Sequence, residues 1–245
     1  MTATLVSIVV PTFHEDGLAA SLDALADHLR SIPQYQFEIL VVDDSGAAHK
    51  SAIDSWIRER ARDGVAARRI DGKRRGKGDA VRVGALAANG ELVLTMDADL
   101  PVPLSHVEEF VELLDRGGYD LVVAERPMTR NTSEPIRYVL SRALFVAQWM
   151  VVFGERRFDD TQCGFKGFRA ALLRELASRQ VIRGGMYDIE YLSAAVRRGA
   201  KVARVPVEPN PEVRRSKIRV LRAIVDDPIA IARIKWRLVT RAYDR

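Results

Sequence analysis

Residues 92–100 read Leu92-Val93-Leu94-Thr95-Met96-Asp97-Ala98-Asp99-Leu100. An apolar, strand-like run ends there abruptly in two carboxylates one residue apart. Beyond the C-terminal end of a buried strand, carboxylates at i and i+2 can lean out together and hold a hard divalent cation against a diphosphate. Turns after strands also favour Asp for ordinary backbone capping, so the meaning of the pair depends on the rest of the chain.

Three more apolar, β-branched runs occur at 5–10, 37–42 and 121–124, with helical spacing between them. Such alternation predicts an α/β fold: a mostly parallel central sheet flanked by helices on both faces. The first connection carries Leu18, Leu22, Leu25, Ala26 and Leu29 along one helical stripe before Pro33 stops the pattern. Further helices are expected over 50–62, 76–88 and 102–116, with a short strand over 66–70. Past Arg126 the alternation fades into a polar, proline-containing loop and then a helix over 136–153. Another short strand follows, then helices around 172–176 and 187–196 and a strand over 202–205. Pro206, Pro209 and Pro211 predict an extended connector.

A chain of 245 residues, 47% of them hydrophobic, can bury one substantial core. The formal charge of +5 suits nucleotide phosphates, anionic lipid headgroups or nucleic acid, and does not choose among them. With Cys163 the single cysteine, an intramolecular disulfide and a cysteine-based zinc cluster are excluded, and a reducing cytoplasm is the expected setting. The start of the sequence has no basic leader with an apolar core, so an exported precursor is not expected. The longest apolar stretch, 143–153, is interrupted by Gln148 and falls short of the roughly 20 residues a spanning helix needs. It is either a buried helix or one that dips into a bilayer surface.

In open α/β sheets, ligands bind beyond the carboxyl ends of the strands. Residues after the predicted strands form a coherent set: Pro11, Thr12, Phe13, His14 and Glu15; Asp43, Asp44, Ser45 and Gly46; Asp97 and Asp99. With Gly76-Lys77-Gly78-Asp79-Ala80-Val81 and Asp160-Thr161-Gln162-Cys163-Gly164-Phe165-Lys166 they make five ordered motifs. In these motifs the chain resembles the family 2 glycosyltransferases of the GT-A fold, and within them the dolichyl-phosphate mannosyl- and glucosyltransferase group.

The resemblance implies that Pro11, Phe13, Glu15 and Asp44 surround the nucleoside, although family enzymes usually carry Tyr and Asn where this chain has Phe13 and His14. Asp97 and Asp99 would bind Mg²⁺ or Mn²⁺. Lys77, beside two glycines at a predicted helix entrance, suits an anion. Gln162 would hydrogen-bond a sugar hydroxyl. Asp188 is either a general base or a helix N-cap. Arg126, with Arg137 as a second clamp, would meet an acceptor phosphate, since a guanidinium fork pairs two phosphate oxygens. Arg215 and Lys217 would fold over the donor diphosphate.

The expected activity is that of a metal-dependent, inverting hexosyltransferase moving a hexose from UDP-glucose or GDP-mannose to a polyprenyl or dolichyl phosphate. It would work in the cytoplasm at the inner face of the membrane. A soluble hydroxyl acceptor and a non-catalytic membrane-surface module are the alternatives. Residues 1–211 would form the catalytic domain. Residues 212–245 would form a basic helical extension, packed on that domain or at an anionic membrane surface. There Ile231, Ile234, Trp236 and Leu238 alternate with Arg233, Lys235, Arg237 and Arg241. Nucleic acid is not an expected partner, because aromatics interleaved with basic residues are lacking.

Overall fold

The computed structural model describes residues 3–60, 66–127, 146, 149–154, 157–208, 210 and 220–244, without the side chains of 149 and 220–226. In chain order the elements are β1 (Leu5–Thr12), α1 (Leu18–Arg30), β2 (Gln36–Asp43), α2 (Ala47–Arg60), β3 (Ala66–Asp71), α3 (Lys77–Ala87), β4 (Leu92–Thr95), α4 (His106–Asp115) and β5 (Leu121–Glu125). A π-helical turn (Trp149–Phe153), β6 (Lys166–Arg169), α5 (Ala170–Arg179), α6 (Tyr187–Arg197), β7 (Val202–Pro206) and α7 (Val220–Val239) follow. The strands form one sheet in the order β3-β2-β1-β4-β6-β5-β7.

The apolar runs read from the sequence are the centre of this sheet. Their side chains alternate between two cores, as the period of two requires. Val6, Ile8 and Val10 of β1 point to one face with Leu92 and Leu94 of β4, whereas Val9 and Val93 point to the other. The first face is covered by α1, α2 and α4, through residues such as Leu22, Trp56 and Phe110. The second is covered by α3, α5, α6 and α7, through Val81, Leu173, Ile189 and Ile234.

Six of the seven strands run in one direction, and β6 is the exception. It pairs antiparallel with both β4 (Leu94↔Gly167) and β5 (Val122↔Gly167). Because β6 runs backwards, its first residue, Lys166, lies at the same sheet edge as the C-terminal ends of β1, β2, β4 and β5. The 159–165 segment is thereby delivered to the mouth where ligands bind in such sheets.

Several element boundaries differ from expectation. The helix expected from 102 begins at His106, because residues 103–107 first close a turn through His106 N–H to the Pro103 carbonyl and Val107 N–H to Leu104. Of the helix expected over 136–153, residues 149–153 form a π-helical turn, and most of the remainder lies outside the described residues, as do Pro209 and Pro211. At the C-terminus α7 runs through Pro228. Ile231, Ile234 and Leu238, at helical spacing, seal it against the second core. No described helix is long and apolar enough to cross a membrane.

Candidate active site

Two groups of side chains meet the C-terminal sheet edge. The first surrounds the ends of β1, β2 and β3. Asp44 accepts a hydrogen bond from the Arg74 backbone N–H at 2.8 Å, and Arg74, held at φ 53°, returns its guanidinium to the carbonyls of Asp44 (3.1 Å) and Ser45 (2.8 Å). Gly72 is required there, since any Cβ would overlap the Asp44 carboxyl group. Asp43 caps the turn through the Ser45 N–H at 2.8 Å and leaves Oδ2 buried without a hydrogen-bond partner. The Ser45 hydroxyl takes the His14 N–H at 2.8 Å, fixing His14 at φ 48°. These residues border a concavity lined by Asp43, Ser45, Gly46, Lys50, Gly72 and Arg74. Phe13 stands at its side 63% exposed, stacked edge-on against His14. An aromatic this exposed is not a core residue. Pro11 and Glu15 flank it on the same strand end, both half-buried. Arg74, missed in the sequence, stands in the basic run Lys73-Arg74-Arg75 before the Gly76-Lys77-Gly78 motif.

The second group is built around Asp97. After β4 the chain turns tightly, Leu100 N–H returning to the Asp97 carbonyl at 3.1 Å with Leu100 at φ 47°. Asp97 and Asp99 are both half-buried in this turn. Gly164 lies against Asp97: a Cβ there would stand 2.5 Å from both carboxylate oxygens. Thr95 ties the two segments by donating to the Gly164 carbonyl at 3.1 Å. Two hard carboxylates one residue apart fit Mg²⁺ or Mn²⁺, which at phosphate sites are held by one or two carboxylates together with substrate phosphates.

Three cations enter this group. Lys77 Nζ lies 2.5 Å from Asp97 Oδ1. Burial alone would lower its pKa, but Asp97, Asp188 and Asp99 outweigh burial and hold it above the ordinary value. The glycines on each side place it. Added Cβ atoms would meet the Arg183 carbonyl at 2.8 Å from Gly76, and Tyr187 Cβ at 2.7 Å from Gly78, so the start of α3 is packed directly onto the start of α6.

Arg126 binds Asp160 Oδ2 at 2.6 Å. Burial would lower Arg126, yet Asp160 raises it further above the ordinary value. Asp160 also accepts the Gln162 N–H at 2.9 Å, while the exposed Gln162 side chain reaches Met186 Sδ at 3.3 Å. Glu125, at the end of β5, supports this loop by accepting the Asp159 N–H at 3.0 Å and pairing with both ends of Arg204.

The third cation, Lys166, lies 2.5 Å from Asp188 Oδ1, with only 1% and 3% of the two side chains exposed. Its ammonium also binds the Cys163 carbonyl. This removes the N-cap alternative for Asp188. It is not the N-cap of α6, a position held by Met186; its carboxylate is enclosed and ion-paired in the first turn of that helix. Burial raises the Asp188 pKa, with Lys166 and Lys77 acting against the rise. Burial likewise pushes the Cys163 thiol up, which suits packing rather than nucleophilic chemistry. Glu190, also missed in the sequence, accepts from the N–H groups of Val181 (2.9 Å) and Ile182 (2.8 Å) and from the Tyr243 hydroxyl (2.8 Å). It thereby anchors both the 181–184 segment behind Gly76 and the C-terminal tail. Arg137, Arg215 and Lys217 lie outside the described residues.

The model of glycosyl transferase family 2 matches residues 7–179, a span that runs from within β1 to the end of α5. The chain belongs to glycosyltransferase family 2.

Among relatives of this family 2 chain, a dolichyl-phosphate β-glucosyltransferase of Trichomonas vaginalis, ALG5A, is 29% identical over 225 residues, covering 87% of this chain and 68% of that protein. The human dolichyl-phosphate β-glucosyltransferase is 30% identical over 210 residues, covering 77% and 62%. Glycosyltransferase AglD of Haloferax volcanii is 29% identical, covering 96% of this chain and 38% of its own length. The chain thus spans only part of each relative. Glucosyl-3-phosphoglycerate synthase from Mycobacterium tuberculosis, solved with Mn²⁺, UDP-glucose and phosphoglyceric acid, superposes with a TM-score of 0.64 at 19% identity, over 98% of this chain and 80% of that one. Mannosyl-3-phosphoglycerate synthase from Rubrobacter xylanophilus gives 0.58 at 18% identity, over 97% and 75%. The shared architecture is the GT-A fold.

Proposed function

We propose that this chain transfers glucose from UDP-glucose to a polyprenyl or dolichyl phosphate with inversion at the anomeric carbon. The observation that carries the choice of acceptor is the enclosure of Asp188 against Lys166. A hydroxyl acceptor needs a base within hydrogen-bond reach, whereas a phosphate monoester is already anionic at neutral pH and attacks without one. Arg126, paired with Asp160 at the same sheet edge, offers the guanidinium fork that such an acceptor requires. The relatives named dolichyl-phosphate β-glucosyltransferase and the neighbour solved with Mn²⁺ and UDP-glucose support the same reading.

In this reading Pro11, Phe13, Glu15 and Asp44 hold the nucleoside in the first group, and Lys77, Arg215 and Lys217 hold the diphosphate. Asp97 and Asp99 would hold a divalent cation, which would supply Lewis-acid stabilisation of the departing diphosphate. Gln162 orients the sugar. Arg126 and Arg137 aim an acceptor phosphate oxygen at the anomeric carbon, on the face opposite UDP. The new bond to that oxygen forms as the bond to the UDP oxygen breaks, and its electron pair leaves with UDP.

Residues 1–211 act as the catalytic domain, and 212–245 bring it to an anionic membrane surface. A second apolar stripe on α7 supports that surface role. Opposite the buried Ile231, Ile234 and Leu238, the side chains of Ile229 and Trp236 are 59% and 64% exposed, with Arg233 and Lys235 alongside.

The test is transfer of radiolabelled sugar from UDP-glucose or GDP-mannose, with and without Mn²⁺ and polyprenyl phosphate in detergent. Lipid-linked glucose is expected only when UDP-glucose, cation and polyprenyl phosphate are all present, and Asp97→Asn abolishes it. Transfer to water-soluble saccharides with none to lipid overturns the acceptor assignment. Absence of both transfer and donor hydrolysis in every mixture overturns the enzyme reading.

A further inference from the structure

The ion pair between Lys77 and Asp97 points to a function for Lys77 beyond contact with a diphosphate. We infer that Lys77 is an internal competitor of the divalent cation, occupying Asp97 until a donor diphosphate draws it away. This inference rests on the proposed role of Asp97 and Asp99 as cation ligands.

The ammonium sits 2.5 Å from Asp97 Oδ1, a first-contact position that an incoming cation must clear. The other two cations of the group have partners of their own: Lys166 is on Asp188 and Arg126 on Asp160. The Lys77 backbone is fixed, since Gly76 and Gly78 pack against the Arg183 and Gly184 backbone and Tyr187. The side chain is not enclosed, being 36% exposed. Motion is therefore confined to a four-carbon stem whose ammonium swings between two anions within its reach.

A ligand shifts such an equilibrium only through its different affinity for the two states. A diphosphate stabilises the state with Lys77 off Asp97, and so does a cation, so each strengthens binding of the other by the same factor. Metal and donor then load together, and the carboxylates do not collect cations while the donor site is empty.

Mn²⁺ binding, followed by the loss of the free-ion electron paramagnetic resonance signal, tests this without turnover. Wild type, Lys77→Met, Lys77→Gln and Arg126→Met are titrated with and without UDP, and circular dichroism checks each fold. Without UDP, Lys77→Met and Lys77→Gln are expected to bind Mn²⁺ about tenfold more tightly than wild type, within the usual range of coupling between sites. UDP is expected to tighten Mn²⁺ binding more in wild type than in either variant. Arg126→Met controls for removal of a nearby positive charge, and an equal gain in that protein would reduce the effect to a general field and overturn the inference. Unchanged donor-free affinity in the Lys77 variants would also overturn it. If wild type binds no Mn²⁺ even with UDP, the cation-ligand reading of Asp97 and Asp99 itself fails, an outcome distinct from the other two. Should one Lys77 variant misfold, the other carries the comparison.

Discussion

A methyl group at Gly164 would stand 2.5 Å from both oxygens of Asp97, so Gly164→Ala moves the carboxylate while leaving the sheet in place. Displacement of a reacting group by about 1 Å costs roughly 10²-fold in rate, and a kcat loss of that order is expected with the melting temperature little changed. Initial rates and a thermal melt on the same preparation check both halves. The buried Lys166–Asp188 pair gives an expectation of the opposite kind. Lys166→Met strands a carboxylate with 3% exposure, for which about 3–5 kcal/mol of lost stability is expected in urea unfolding. Replacing Asp188 as well, as Lys166→Met/Asp188→Leu, is expected to recover most of it, because the pair taken together contributes little net stability. The place of Asp97 and Asp99 just past a buried strand was legible because the signal is local, two carboxylates ending an apolar run. The partner of Asp188 was not, since it stands 22 residues away and reaches it only through the reversed path of β6.

At the scale of elements, Glu38 on β2 ties the sheet together at the end remote from the site. It accepts from the Ser7 hydroxyl of β1 at 2.5 Å and from Asn89, just before β4, through the backbone N–H at 2.7 Å and the side-chain amide at 3.1 Å. Burial pushes its pKa up, but Ser7, Asn89 and Arg68 more than offset this and hold it below the ordinary carboxylate range. A depressed folded value means the contribution is present above the unfolded pKa, about 4.3, and is lost as pH falls through the folded one. Melting temperatures between pH 7 and pH 3 should therefore fall less steeply in Glu38→Gln than in wild type, starting from a lower value at pH 7. The strands at 5–10, 37–42, 92–96 and 121–124 could be read because burial on both faces demands unbroken apolar runs. For β6 the same reading identifies only a short strand. Lys166-Gly167-Phe168-Arg169 has a charged residue at each end, and nothing in those four residues encodes a place between β4 and β5.

On the whole molecule, the two stripes of α7 set the scale. One is sealed against the core by Ile231, Ile234 and Leu238, and the other leaves Ile229, Trp236 and Val239 exposed. Double replacement Ile229→Ser/Trp236→Ser removes no core contact, so the melting temperature is expected to hold. Burying a large apolar side chain contributes about 1.5–3 kcal/mol, and a drop of at least tenfold in partitioning onto vesicles rich in phosphatidylglycerol is expected. Vesicle sedimentation measures this, and equal sedimentation of variant and wild type would remove the bilayer as the partner of this face. The stripe was visible in the sequence as alternating apolar and basic residues. Which half of it faces inward was not, since that depends on the core α7 meets.

The late arrival of β6 has a consequence for biosynthesis. Until Lys166–Arg169 emerges, β4 and β5 each present an unpaired edge toward the gap that β6 will fill. Translation at about 5–20 residues per second makes the wait from Thr95 to Lys166 last several seconds. Open edges of this kind recruit other strands. A nascent chain halted before β6 is available thus leaves both edges open, and pairing of the next few residues between β4 and β5 closes them together.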